Sequence, residues 1–539
     1  MPLKIDLSRE EAAQREVGET SFSGGSRWML IVAFILTLLA VSLIQAGIES
    51  SSSLPRCLEI WKSLPRAVHS FRQSNAWVQA VIAANESLKN DFKNYEKSLE
   101  EDSFLTRHAL PPMQHFTLKY LGLGNEKVYP GRSGWLYYRP DLDYVSGPGF
   151  LHGSEHKVLA KNSGPLPALI RFQQDLAARG IRLILLPVPV KPVIDPEYLC
   201  KSAPQLPLQN LSFSAFLAEL EKNGIEYIDP TPRMISAKQS QGEPRFLKTD
   251  SHWTPETMED VAREVADRIR PQSREGRHYV RGNSLEIKNQ GDLVAMLRLP
   301  VNDNLYPPEA AKITPVLQRD GTDWQPSPSA EILLLGDSFT NIYSTKDLGW
   351  GTSSGLAEHL SLALQMPVDR IAINAGGALT TRQTLARSPE RLAGKKVVVY
   401  EFAVRDLATG DWKVLPLPEA KAPVLKDKSP SRTLRGTIKN ITRAPKPGTV
   451  PYKDLIVCIH LTDIEGENGT EALVFLHGLK NNVPTAANAL NPGDKISMEP
   501  ILWSTVEEKF GSINRRELSG SAADLDLIYW AEEVPEVEH

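Results

Sequence analysis

Ile332-Leu333-Leu334-Leu335-Gly336-Asp337-Ser338-Phe339 reads as a buried strand that ends in a turn carrying a serine. Four apolar residues in succession fit a strand covered on both faces. Gly336 permits a tight turn where the strand ends, which sets Ser338 at the carboxyl edge of a sheet. A helix starting there would offer free N–H groups to an oxyanion. The same texture recurs on either side, at 181–188 (IRLILLPV), 225–228, 371–374 and 397–402 (VVVYEF). Helical patterns alternate with these runs. Those at 166–179 and 212–223 stop at Gly180 and Gly224, and a third opens at Thr254-Pro255, with Thr as N-cap and Pro at the first helical position, and runs to about 270. This alternation predicts an α/β domain over 105–415, a parallel, flavodoxin-like sheet with helices on both faces. In such sheets ligands bind beyond the carboxyl ends of the strands.

Outside that region the pattern changes. The 539 residues carry 61 Lys and Arg against 65 Asp and Glu, a near balance that argues against a nucleic-acid partner. Residues 1–26 are polar and aperiodic and read as a disordered cytoplasmic tail. From Trp28 to Ile48 the chain runs 21 residues without a charge, long enough to span a bilayer as a helix, so 27–48 reads as a single-pass anchor. Basic residues tie across it, with Arg9, Arg15 and Arg27 before and Arg56, Lys62 and Arg66 after, so charge does not orient it. Residues 49–104 read as a helical stalk, with Val78, Val81, Asn85, Leu88, Phe92, Tyr95 and Leu99 at heptad spacing. A Pro- and Lys-rich linker at 416–430 precedes five short strand patterns at 434–441, 455–462, 472–476, 495–502 and 525–530. These predict a small β-barrel or sandwich over 431–539, separable from the rest. Three cysteines, Cys57, Cys200 and Cys458, allow at most one intrachain bridge, of undetermined pairing.

The candidate chemistry lies at strand ends. Asp250 and His252 stand two apart, on one face of an extended segment, just before the helix at Pro255. A serine hydroxyl needs an adjacent base to act as a nucleophile. His252 is the candidate base for Ser338 and Asp250 its orienting partner. Asn374 and Gly376 follow another strand and are candidates for oxyanion contacts. Tyr400, Glu401 and Arg405 leave the strand at 397–402, where they could bind substrate or form a structural ion pair. Lys191 and Trp253 complete the set of candidates. His152 and His156 have no evident third ligand, and no phosphate-binding glycine loop is present, so neither metal nor cofactor is expected.

Several motifs stand in this order along the chain: Gly131-Arg132-Ser133-Gly134-Trp135-Leu136-Tyr137-Tyr138, Val188-Pro189-Val190-Lys191, Asp250-Ser251-His252-Trp253, Gly291-Asp292-Leu293, Gly336-Asp337-Ser338-Phe339 and the Tyr400-Glu401-Phe402 ending with Arg405. Over about 105–415 the chain resembles the SGNH-hydrolase-like domain of alginate O-acetyltransferase proteins of the AlgX and AlgJ type. The resemblance implies Ser338 as nucleophile, His252 as base and Asp250 as its partner. It also implies a periplasmic domain on an inner-membrane anchor, an acetyl donor in a membrane-bound O-acyltransferase and an exopolysaccharide acceptor. The β-domain does not match that family's carbohydrate-binding module. Three functions fit the residues: acetyl transfer to a polysaccharide, hydrolysis of acetyl esters by the same groups, and a non-enzymatic polysaccharide-binding scaffold.

Overall fold

The computed structural model describes residues 23–49, 63–72, parts of 77–96, and 104–538 except 152–163, 200–206, 270–277, 419–432, 446–452, 466–470, 512, 519–524 and 526. Residues up to Met113 form one unit and Gln114–His539 another. In the first, a helix Gly24–Glu49 runs through the apolar segment, so helix begins inside the expected tail. Among the described residues, no helix is long and apolar enough to cross a membrane; the side chains at 38, 41–43, 45, 46 and 49 of this helix lie outside the described set. In the expected stalk, 63–72 and the described positions of 77–96 are helical, and Val78, Val81 and Phe92 of the heptad pattern are exposed. Leu99, Cys57, Cys200, His152 and His156 fall outside the described residues.

The second unit is built on five parallel strands: β1 (Arg182–Val188), β2 (Glu226–Tyr227), β3 (Ile332–Gly336), β4 (Asp369–Ala372) and β5 (Val397–Ala403). Their order across the sheet is β4-β3-β5-β1-β2. Every residue of β3 and β5 is buried, as is all of β1 after Arg182, so both faces of the central strands are covered. That double burial is why they read as unbroken apolar runs. The strand expected at 371–374 sits earlier, at β4, because Asn374 already belongs to the turn that follows. The helices that matter for the site are α1 (Pro165–Ala177), α2 (Phe213–Lys222), α3 (Pro255–Ile269), α4 (Asp292–Met296), α5 (Ser338–Asn341), α6 (Leu356–Leu364) and α7 (Gly377–Arg387).

The linker begins later than its composition suggests. Leu417 is buried, its N–H donates to Asp175 Oδ2 at 2.8 Å, and Arg179 donates to the Leu417 and Pro418 carbonyls. Residues 411–418 therefore belong to the α/β domain, and 419–432 lie outside the described residues.

The C-terminal region is one eight-stranded sheet. Its strands include β6 (Leu434–Ile441), β7 (Leu455–Thr462), β8 (Ala472–Lys480), β9 (Lys495–Met498), β10 (Ile501–Leu502), β11 (Ile528–Trp530) and β12 (Glu536–Glu538). The pairing path runs β10-β11-β8-β7-β6-β9-β12, so among the described residues the sheet has two ends and is not a closed barrel. Along β7 the side chains alternate between two cores. Leu455, Val457, Ile459 and Leu461 face one; Ile456 and Cys458 face the other, with Trp503, Phe510 and Trp530. Both tryptophans are thus core residues. The region expected to be separable is tied to α7. Arg387 pairs with Glu517 at 2.5 Å, and Arg515 donates to Thr384 Oγ1 at 2.9 Å while contacting Glu517 at 3.2 Å.

Candidate active site

Ser338 opens α5 immediately after β3, as the run of apolar residues ending in glycine predicts. The turn is anchored from the neighbouring strand. Glu401 Oε2 on β5 accepts from Asp337 N–H and from Thr340 Oγ1–H, both at 2.9 Å. A Cβ at Gly336 would lie 2.1 Å from Thr340 Oγ1 and 2.7 Å from Glu401 Oε2, so only glycine lets this carboxyl approach. Asp337 caps the short helix by accepting from Phe339 N–H at 2.8 Å. Burial and the adjacent Asp337 charge push the Glu401 carboxyl well above its ordinary range, and it braces the turn under the serine.

The histidine arrives on an irregular buried segment, 245–252, whose N–H groups are satisfied by carboxylates from elsewhere in the fold. Asp195 accepts from Arg245 and Phe246, both at 3.0 Å. Glu309 accepts from Lys248 at 2.8 Å and Thr249 at 2.7 Å. Asp292 accepts from Ser251 at 2.7 Å. A buried loop is stable only when its backbone polar groups find such partners. Phe339, next to the serine, packs on the His252 ring at 4.8 Å and edge-on against Trp253 at 5.3 Å.

These two segments bring Ser338, His252 and Asp250 into one chain of hydrogen bonds. Ser338 Oγ–H donates to His252 Nε2 at 2.8 Å, and Nδ1–H donates to Asp250 Oδ1 at 2.6 Å. Asp250 Oδ2 also accepts from Trp350 Nε1 at 2.8 Å and Asp292 N at 3.0 Å. Burial would raise the Asp250 carboxyl, but the imidazole and these donors outweigh it and hold it low. For His252, burial disfavours the cation, and the Asp250 charge beside it overcomes that and raises its pKa. Asp292 moves the other way, raised by burial and by the Asp250 charge. Ligand-type atoms of Asp250, His252 and Asp292 lie within 4.8 Å of one another. Their oxygens face N–H and O–H donors, however, so the cluster is organised as a hydrogen-bond network and not around a cation.

The other candidates separate into two groups. Asn374 stays beside α5: Asn341 Nδ2 donates to its Oδ1 at 2.9 Å, and the buried Asn374 Nδ2 has no partner among the described residues. Arg405 is held by Asp141 at 3.1 Å, with its guanidinium 5.8 Å from the Phe339 ring centre and 5.5 Å from that of Tyr138. Burial opposes its charge, but Asp141 raises its pKa further. The remaining four serve the scaffold. Gly376 N–H is spent on Ile373 O at 3.1 Å. Tyr400 donates to Ala378 O at 2.5 Å among Phe172, Phe402 and Trp412. Lys191 is fully buried, donates to Leu136 O at 2.8 Å, and is lowered by burial to about 8. Trp253 is fully buried, and its carbonyl accepts from Tyr343 at 2.6 Å. A pattern of polar and aromatic residues at strand ends does not say which side chains turn inward. Asp292, Trp350, Tyr138 and Asp141 enter the site without having been singled out individually. Gly291-Asp292 carried a signal as a motif, whereas Trp350, a hundred residues from Asp250, carried none.

The chain is similar to several known proteins. Two relatives named probable alginate O-acetylase AlgJ are similar in sequence. The Pseudomonas aeruginosa protein is 27% identical over 233 residues, 40% of this chain and 56% of that protein. The Pseudomonas fluorescens protein is 30% identical over 230 residues, 41% and 55% respectively. The chain thus spans about half the length of these relatives. Two solved structures are similar as well. The O-acetyltransferase domain of Pseudomonas putida AlgJ is 22% identical, covering 53% of this chain and 93% of that one with a TM-score of 0.41. Pseudomonas aeruginosa AlgX is 15% identical, covering 66% and 77% with a TM-score of 0.38. The family profile described as SGNH hydrolase-like domain, acetyltransferase AlgX, matches residues 128–404, a little over half of the 539, and the chain belongs to this enzyme family.

Proposed function

We propose that the chain transfers an acetyl group to a hydroxyl of an exopolysaccharide through an acyl-serine intermediate. The observation that carries this reading is the hydrogen-bond chain Ser338–His252–Asp250, at 2.8 and 2.6 Å. Ser338 Oγ attacks the acetyl carbonyl of the donor while His252 Nε2 takes its proton. Asp250 keeps Nδ1 protonated, so that Nε2 is the free base, and stabilises the imidazolium that forms. The tetrahedral intermediate collapses as His252 returns the proton to the leaving group, and acetyl remains on Ser338. The acceptor hydroxyl then gives its proton to His252, attacks the ester and releases Ser338 Oγ, which regains that proton. Ser338 N–H and Asn374 Nδ2 are the donors proposed for the oxyanion. Arg405, beside the ring that follows the serine, is proposed to face the substrate.

The donor in this reading is a membrane-bound O-acyltransferase, and the acceptor is an alginate-like polymer, the class named for the relatives. The segment from Trp28 to Ile48 anchors the chain in the inner membrane, with residues from 49 onward in the periplasm. A periplasmic reporter fused at the C-terminus should be active, and an active cytoplasmic reporter there would reverse the topology. Transfer is tested with the full chain, an acetyl ester and an added glycan. Acetyl appearing on the glycan supports the reading. Free acetate released at a rate indifferent to glycan would make the protein a hydrolase.

A further inference from the structure

Next to Asp250 lies a second buried carboxylate that the proposed reaction does not use. Asp292 opens α4, and the preceding Gly291 is pressed against the histidine segment. A Cβ there would lie 2.2 Å from Thr249 O and 2.5 Å from Asp250 N. The contact creates a reciprocal clasp. Asp292 N–H donates to Asp250 Oδ2 at 3.0 Å, and the Asp292 carboxylate accepts from Ser251 N–H at 2.7 Å and Ser251 Oγ–H at 2.6 Å. Asp292 Oδ2 is 3.9 Å from His252 Nδ1, too long for a hydrogen bond but close for a charge. Two buried carboxylates this near one another are costly unless each is hydrogen-bonded, as both are here.

We propose that Asp292 is a positioning residue for the reaction: it holds the turn carrying His252 through Ser251 and sets a second negative charge beside the imidazole. The inference rests on His252 acting as the base. Asp250, Asp292, Asp337 and Asp141 all act electrostatically on His252 or feel its charge. Asp292 also acts electrostatically on Lys191 and Tyr138, and Glu309 acts on Lys191. Of the carboxylates that act on His252, Asp292 is the one that comes from another segment and binds Ser251, the residue before the histidine.

The test compares kcat/KM against pH for the wild type, Asp292→Asn and Ser251→Ala, with folding followed by thermal melting. A wild type whose rate does not rise with pH through a histidine-like midpoint sinks the assignment of His252 as base, and the present inference with it. Given that rise, Asp292→Asn should move its midpoint to lower pH by roughly 0.5–1 unit, because a negative charge near the imidazole is gone. It should also lower kcat roughly 10- to 100-fold with KM little changed, because the base is held less well. Ser251→Ala keeps the charge and loses one tether, so kcat falls by a smaller factor and the midpoint does not drop. An unmoved midpoint in folded Asp292→Asn contradicts the proposal. Should Asp292→Asn not fold, a wild-type kcat in Ser251→Ala contradicts it.

Discussion

The two sheets of the second unit share a texture and differ in what they bury. β1, β3 and β5 of the parallel sheet and β7 and β8 of the C-terminal sheet are all apolar strands covered on both faces. Around the first sheet the interior also holds Asp250, His252, Asp292, Glu401 and Lys191. Within the second, buried His460 is bonded to Glu471 at 2.8 Å, and buried Arg515 sits where that sheet meets α7 and is paired with Glu517. Burying charge is expensive unless it is paired and hydrogen-bonded. One region bears that cost to build reactive geometry; the other spends it on holding two domains together. The comparison therefore predicts that removing His252 or Asp250 from the first region cripples the reaction, while removing Glu517 from the second weakens the fold.

The largest effect should come from the serine and histidine. Ser338→Ala and His252→Ala are each expected to lower kcat on a small acetyl ester by about 10⁶, and Asp250→Asn by about 10⁴, since Asp250 orients and does not itself move the proton. Melting temperature should change little for Ser338→Ala. A Ser338→Ala protein retaining a tenth of the wild-type rate would break the comparison at its centre.

The pH dependence follows from His252. Its folded pKa is raised, so the inactive protonated form persists to higher pH, and the acid limb of kcat/KM should lie above the unperturbed value of 6.5. A profile flat from about pH 5 to 8 would remove His252 as base.

Glu517→Gln sharpens the other half. It leaves Arg387 and Arg515 without their carboxylate and should cost about 3 kcal/mol of stability with kcat nearly unchanged. A large loss of kcat at unchanged stability would give the C-terminal region a part in the chemistry. Expression of the chain to residue 418 should likewise retain ester cleavage at a lower melting temperature.

The smallest effect is expected under the serine. Glu401 is raised well above 4.5, so its protonated form favours the fold at low pH, and that contribution is lost as pH rises from about 4.5 toward the folded value. Glu401→Gln mimics the protonated group. It should change stability by less than about 1 kcal/mol at low pH and remove this part of the decline with rising pH. Glu401→Gln that loses stability equally at every pH would mean the carboxyl is ionised in the fold.

How much of this was legible depended on range. The strand-turn-serine at 332–338 and the Asp250-x-His252 pair are local, and both lie where the sequence places them. Their meeting also followed, since both were assigned to one site. What escaped was long-range. Trp350 reaches Asp250 from a hundred residues away, and Gly291 is glycine because of Thr249, a contact no spacing reveals. Composition set the start of the linker at 416, yet Leu417 is buried and Arg179 holds the Leu417 and Pro418 carbonyls. The predicted strand at 495–502 is two strands, interrupted around Pro500, which has no N–H to give to a ladder.

The central claim is that acetyl passes through Ser338, and trapping it is the most direct test. The full chain is mixed with an activated acetyl ester, quenched in acid within the first turnover, digested and analysed by mass spectrometry. The account predicts an acetyl adduct on the peptide containing Ser338, absent from Ser338→Ala and cleared when acceptor glycan is supplied before quenching. An adduct on another residue that forms and clears at the turnover rate, with Ser338 unmodified, would contradict it.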